Sequence, residues 1–128
     1  RALFEQPANT FVAQFIGSPS MVLLTAEGCG ETSTLAGVEG ALPISGEGAY
    51  VLGVRPTDVE LGEPQQDAPT AVVDVIESQG ATALVHLQLG PHELTAQVAE
   101  PTTVRSGDEV GLVFRTVHRF DAATGERL

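Results

Sequence analysis

The chain has no lysine and no tryptophan, a single cysteine, and few aromatics, five Phe and one Tyr in 128 residues. Without lysine it cannot form a Gly-rich phosphate loop ending in Lys-Ser/Thr, so no nucleotide-hydrolysis site of that kind is complete within it. A lone Cys29 excludes an internal disulfide and the stapled architecture of small secreted domains. Cys29 lies between Gly28 and Gly30, which reads as a turn, and no base stands near it in sequence to activate a thiol. No apolar run approaches the ~18 residues of a spanning helix. Arg1–Gln6 lacks the apolar stretch and cleavage site of a signal peptide. The chain starts without Met, which reads as a piece of a longer polypeptide.

Positive charge is also scarce. Six Arg face seventeen acids, for a net charge of −11. That balance opposes binding to a nucleic-acid backbone or an anionic bilayer, both of which require cationic side chains. It suits a solvated surface, or one that meets a basic partner. What the chain does have is Val, Leu and Ala, with fourteen Gly and eight Pro spread along it. This composition predicts short strands broken by turns, as in small barrels and sandwiches.

A short helix is expected first. Pro7 suits a helix start, and Phe11, Val12, Phe15 and Ile16 share one stripe on a 3.6-residue period. Gly17 and Pro19 end it. A helix of about ten residues is marginal alone, so the stripe must dock on something. Met21–Ala26 reads as a strand, Glu27–Thr34 as a turn, 35–44 as one or two short strands, and Gly46–Gly48 as another turn. Tyr50, Leu52 and Val54 share a strand face, Pro56 ends that strand, and 57–59 reads as one helical turn. The stretch 61–69, rich in Gly, Pro and acids, reads as a surface connection between two halves.

The second half alternates more regularly. Ala71–Glu77 is followed by a turn at Gln79 and Gly80. Ala83, Val85, Leu87 and Leu89 point to one face and His86 to the other. After Gly90 and Pro91, the residues Leu94, Ala96 and Val98 continue the apolar face. Val110, Leu112 and Phe114 alternate in a further strand, and 117–120 forms a last one before a loop over 121–125. The expected fold class is mostly β, with about five strands here closing a partly open Greek-key barrel of OB type.

Catalytic chemistry is hard to place. His86, His92 and His118 show no metal-ligand spacing. Asp74 and Glu77 fall on opposite faces by alternation, which does not pair them across a substrate. Asp58 and Glu60 read as solvated turn acids, and Gly17–Ser20 lacks the setting of a nucleophile elbow. A small barrel can bind nucleic acid through aromatics in a positive groove, but the charge here has the wrong sign. Arg55, just before Pro56, reads as a salt bridge or carbonyl clamp at a strand end, with an anion or partner contact as the alternative. Arg115 and Arg119 read as surface residues.

Four stretches resemble one family. Phe4–Met21 reads F-E-Q-P-A-N-T-F-V-A-Q-F-I-G-S-P-S-M, Gly53–Pro56 reads G-V-R-P, Val75–Glu77 is followed by Gly80, and His118–Asp121 is followed by Thr124 and Gly125. In this order they resemble the region after the nucleotide-binding domain in ATPase subunits of carbohydrate-importing ABC transporters, maltose-importer type. Val22, Thr57, Asp58 and Gln79 depart from the family's usual residues.

The resemblance implies a C-terminal regulatory domain on the OB-like barrel called TOBE, with residues 1–19 as linker and helix after a missing ATP-binding domain and 20–128 as the β domain. It implies no cofactor in this piece, with ATP and Mg in the missing domain. The implied partners are a second copy of the ATPase subunit, membrane permease subunits reached through that domain, and a regulatory protein, but no nucleic acid. The implied location is the cytoplasmic face of the cell membrane. Phe11, Val12, Phe15 and Ile16 would dock the helix, and Arg55 and Glu77 would organise the barrel or its contacts. A small-ligand or oxyanion sensor is the alternative reading, and a stand-alone enzyme a third for which no site is visible.

Overall fold

The computed structural model describes residues 21–128. Nine strands follow one another: β1 (Val22–Gly30), β2 (Ser33–Leu35), β3 (Gly46–Val54), β4 (Val59–Gly62), β5 (Thr70–Ser78), β6 (Thr82–Leu89), β7 (His92–Ala99), β8 (Glu109–Phe114) and β9 (His118–Asp121). They form two antiparallel sheets, ordered β2-β1-β3-β9 and β4-β8-β5-β6-β7. The chain leaves the first sheet through a 3-10 turn, Pro56–Asp58, and returns to it only with β9. The stretch after β4 joins it to β5 within the second sheet. The edge strands β4 and β7 lie against each other without a hydrogen-bonded ladder, so the five-stranded sheet curls toward closure.

One core fills the space between the sheets. Leu24, Ala26, Tyr50, Leu52 and Val54 from the first sheet meet Val73, Val85, Leu87, Leu89 and Ala96 from the second. Ala83, Val85, Leu87 and Leu89 are all buried, as their alternation predicts. Tyr50 ends in a polar contact that tolerates its burial: its hydroxyl lies 2.6 Å from Ser33 Oγ, which donates to the Ile44 carbonyl at 2.7 Å.

The expected class needs one correction. The mostly β, OB-like part agrees with the structure, but the short N-terminal helix does not belong to the fold it describes. Among the described residues the longest helical element is the three-residue turn Pro56–Asp58, and the segment read as a helix, with Phe11, Val12, Phe15 and Ile16, lies outside them. Helical spacing over some ten residues does not by itself hold a helix together.

Two supposed turns are also strand. Gly28, Cys29 and Gly30 pair with Gly48, Glu47 and Gly46 in the β1–β3 ladder. A Cβ on Gly28 would sit 2.1 Å from the Gly46 carbonyl carbon, so the glycine serves close backbone approach rather than chain reversal.

Candidate functional site

Arg55 directly follows β3, and strand alternation puts it on the outer face of the first sheet, away from the main core, together with Val51 and Gly53. β9 pairs beside that strand, with Gly53 opposite His118 and Val51 opposite Phe120. The register therefore brings two residues more than sixty positions apart into contact: Arg55 Nη1 lies 3.3 Å from His118 Nε2. On the other side of the ring, Arg127 Nη1 lies 2.8 Å from His118 Nδ1. Both Arg55 and His118 are buried.

This arrangement dictates the state of the imidazole. Guanidinium groups only donate, and a neutral imidazole has one lone pair to offer between its two nitrogens. A protonated ring would have none and would add a third positive charge. Burial, then Arg127, then Arg55, lower the His118 pKa from 6.5 to about 4. The ring is therefore neutral near pH 7, so the cluster is suited to positioning side chains and not to proton transfer at that pH.

Around it the supports are local. Arg115 donates its backbone N–H to the Asp58 carbonyl at 2.8 Å and its side chain bridges Glu60 at 2.9 Å, tying β8 to β4. Burial raises the Asp58 pKa, opposed by the charges of Arg55 and Arg115. Asp121 accepts from the backbone N–H groups of Ala123 and Thr124 at 2.8 and 2.9 Å, which lowers its pKa, and Gly125 turns the chain at a φ of +77°. That gives the Phe-Asp-Ala-Ala-Thr-Gly run a physical reason: it closes the end of β9 against Glu126.

Glu77 is elsewhere. It lies on the exposed outer face of the second sheet and pairs with His86, whose Nδ1 is 3.4 Å from Thr95 Oγ1. A bulge between Val73 and Ile76 shifts the register there. It places Asp74 and Glu77 on the same outer face, where alternation alone separates them. The structure thus does not bring Arg55 and Glu77 together, and Phe11, Val12, Phe15 and Ile16 fall outside the described residues. From sequence His118 was weighed only as a metal ligand and as the start of a stretch carrying the family resemblance, and Arg127 was not weighed as a site residue. The usable signal was that His118 and Phe120 share a strand face, but only the pairing of β9 with β3 shows what they meet.

Among the described residues no three His, Cys, Asp or Glu side chains gather as metal ligands. Cys29 is exposed. One hollow of about 360 Å³ is lined by Leu61, Glu63, Val104, Asp108, Glu109 and neighbouring residues; that lining holds three carboxylates and no cation.

Residues 52–120 match the TOBE domain family. Over 98% of its length the chain is 36% identical to the sn-glycerol-3-phosphate import ATP-binding protein of Cereibacter sphaeroides, covering 37% of that protein. It is 32% identical, again over 98% of its length, to the trehalose/maltose import ATP-binding protein of Thermococcus litoralis, covering 39% of it. The chain thus spans well under half the length of these relatives. Its fold resembles that of a cytoplasmic molybdate-binding protein, ModG, with a TM-score of 0.58 at 17% identity, over 80% of this chain and 96% of the other.

Proposed function

Because the chain belongs to the TOBE-domain family, we propose that it is the non-catalytic regulatory and dimerising part of an ATP-hydrolysing import subunit. In this reading residues 1–19 are the linker from an ATP-binding domain that holds ATP and Mg, and 20–128 are the regulatory domain. The transported substrate is a sugar or polyol phosphate, of maltose or glycerol-3-phosphate type. The observation that carries the reading is the alignment of 98% of the chain with two import ATP-binding proteins, each more than twice its length.

The physical role is a tether. A regulatory domain that stays paired raises the effective concentration of two attached ATPase domains for each other, without adding a contact between them. A regulator that binds better to one state of the pair then shifts the balance between open and closed forms by its differential affinity. The partners are a second copy of the subunit, permease subunits met through the ATP-binding domain, and a regulatory protein. This puts the protein at the cytoplasmic face of the membrane. Among the described residues no helix is long and apolar enough to cross the membrane itself.

Sedimentation of the 128-residue chain tests the tether. Self-association is expected as concentration approaches the millimolar range typical of tethered partners, and a strict monomer at about 1 mM refutes it. Oxyanion sensing is a second reading, favoured by the likeness in fold to a molybdate-binding protein and by the Arg55–His118–Arg127 cluster. Calorimetric titration with molybdate and with sulfate separates the two, since the tether reading expects no saturable heat.

A further inference from the structure

The outer face of the second sheet carries apolar side chains where polar ones are the rule. An antiparallel sheet that packs one side on the core normally turns polar residues outward on the other. Among the described residues four large apolar side chains are exposed, and three of them lie on this face: Val72 at 42%, Val75 at 50% and Val113 at 57%. Val72 and Val75 belong to β5, the central strand of the five, so the middle of the face stands open. Alternation turns Val72 outward, since its neighbours Ala71 and Val73 are buried. The bulge turns Val75 the same way: Val73 pairs with Leu87 and Ile76 with Val85, which leaves Asp74 and Val75 together opposite His86.

Single exposed valines are ordinary on a protein surface. These three differ in that each has an acid at its side. Val72 pairs with Glu109, Val113 pairs with Glu60, and Val75 shares its bulge with Asp74. Arg115 bridges Glu60, but the carboxylates of Asp74 and Glu109 have no hydrogen bond or ion pair among the described residues. We propose that this face docks a basic segment of another protein, whose Arg or Lys stems lie across the valines and whose charged ends reach the acids. Long cationic side chains do both at once, covering apolar surface with the stem while the head stays among polar groups. Neighbouring strands are about 5 Å apart, so a side chain that covers Val72 brings its head to Glu109. Charge selects this occupant. A second copy brings no Lys and only six Arg against seventeen acids, so stacking two such faces sets carboxylate against carboxylate. Nucleic acid and anionic lipid carry the wrong sign as well.

This inference stands apart from the importer reading, because the face is defined by described residues of this chain alone. A strict monomer in sedimentation would refute the tether and leave the docking face as it is. If both hold, the basic partner sits on the second sheet, away from the Arg55–His118–Arg127 cluster on the first.

Methyl NMR of the 128-residue chain, titrated with a short synthetic peptide alternating Arg and Leu, tests it directly. Saturable shifts are expected at Val72, Val75 and Val113, with Leu23 and Val51 of the first sheet unmoved. A peptide with Glu for each Arg should not bind, and one with Ser for each Leu should bind at least about tenfold more weakly. An Asp74→Asn/Glu109→Gln variant should lose about three- to tenfold in affinity, the worth of two exposed ion pairs. Both residues are exposed, so the variant keeps the fold. Equal binding by the Ser peptide, or equal shifts around the first-sheet acids Glu27 and Glu47, would reduce the effect to general attraction by a net charge of −11 and overturn the proposal. Shifts of the same three valines on concentrating the chain without peptide would assign the face to a second copy and overturn it too. So would NOE contacts to these valines from residues 1–20 of the same chain, or no saturation at about 1 mM peptide.

Discussion

Replacing His118 with glutamine should remove a defined part of the protein's sensitivity to acid. In the folded chain the ring between Arg55 and Arg127 has its pKa lowered from 6.5 to about 4, whereas in the unfolded chain it titrates normally. Between those two values the unfolded state binds more protons than the folded state. Stability therefore rises with pH across this window and is lost as pH falls through it. The full drop corresponds to about 3 kcal/mol, and solvent screening on the open side of a cluster reduces the usable part to on the order of 2 kcal/mol. Urea unfolding of the 128-residue chain and of the H118Q variant at pH 7.5 and pH 4.5 measures this. The stability difference between the two should move by about 2 kcal/mol in favour of the variant at the lower pH. Carboxylates titrate too: Asp121, held low by two backbone N–H groups, adds acid sensitivity, and Asp58, raised by burial, opposes it. Both are present in each protein and cancel in the difference. A stability difference that does not change with pH would refute the account of the cluster.

The remaining predictions concern the scaffold. Gly28→Ala should destabilise the chain by about 3 kcal/mol or more, because the new methyl meets rigid backbone of β3 and no flexible side-chain end can yield; thermal melts check it. Tyr50→Phe should cost about 1–2 kcal/mol by stranding the buried Ser33 hydroxyl's partner position, measured by urea midpoint. Glu77→Gln should change stability by less than about 1 kcal/mol, since its pair with His86 is solvent-exposed; a larger loss would mean that the outer face of the second sheet carries more than a surface contact.

How much of this was legible in the sequence depended on range. The alternation of Ala83, Val85, Leu87 and Leu89 is a local pattern, and the strand and its buried face followed from it. Arg55 stood out because a cation before proline marks a strand end, but its partners did not. His118 is sixty-three residues away and Arg127 seventy-two, and their meeting is fixed by a strand returning to the first sheet. Glycine was ambiguous for a different reason. Gly28 and Gly48 carry the same residue type as a turn would, and only the ladder shows that two backbones press together there. The bulge after Val73 likewise has no local signature, yet it decides which face Asp74 occupies relative to Glu77.

Because β9 completes the first sheet beside β3, the chain cannot finish folding in the order it is made. While the ribosome is still adding the second sheet, one edge of β3 keeps its backbone groups unmatched, and Val51 lacks the ring that will sit opposite it. A nascent chain in that condition has an open template for pairing with its neighbours, and it stays open until residue 121 has emerged. Truncation at the carboxyl end should therefore act on solubility during synthesis before it acts on the melting temperature of whatever folds.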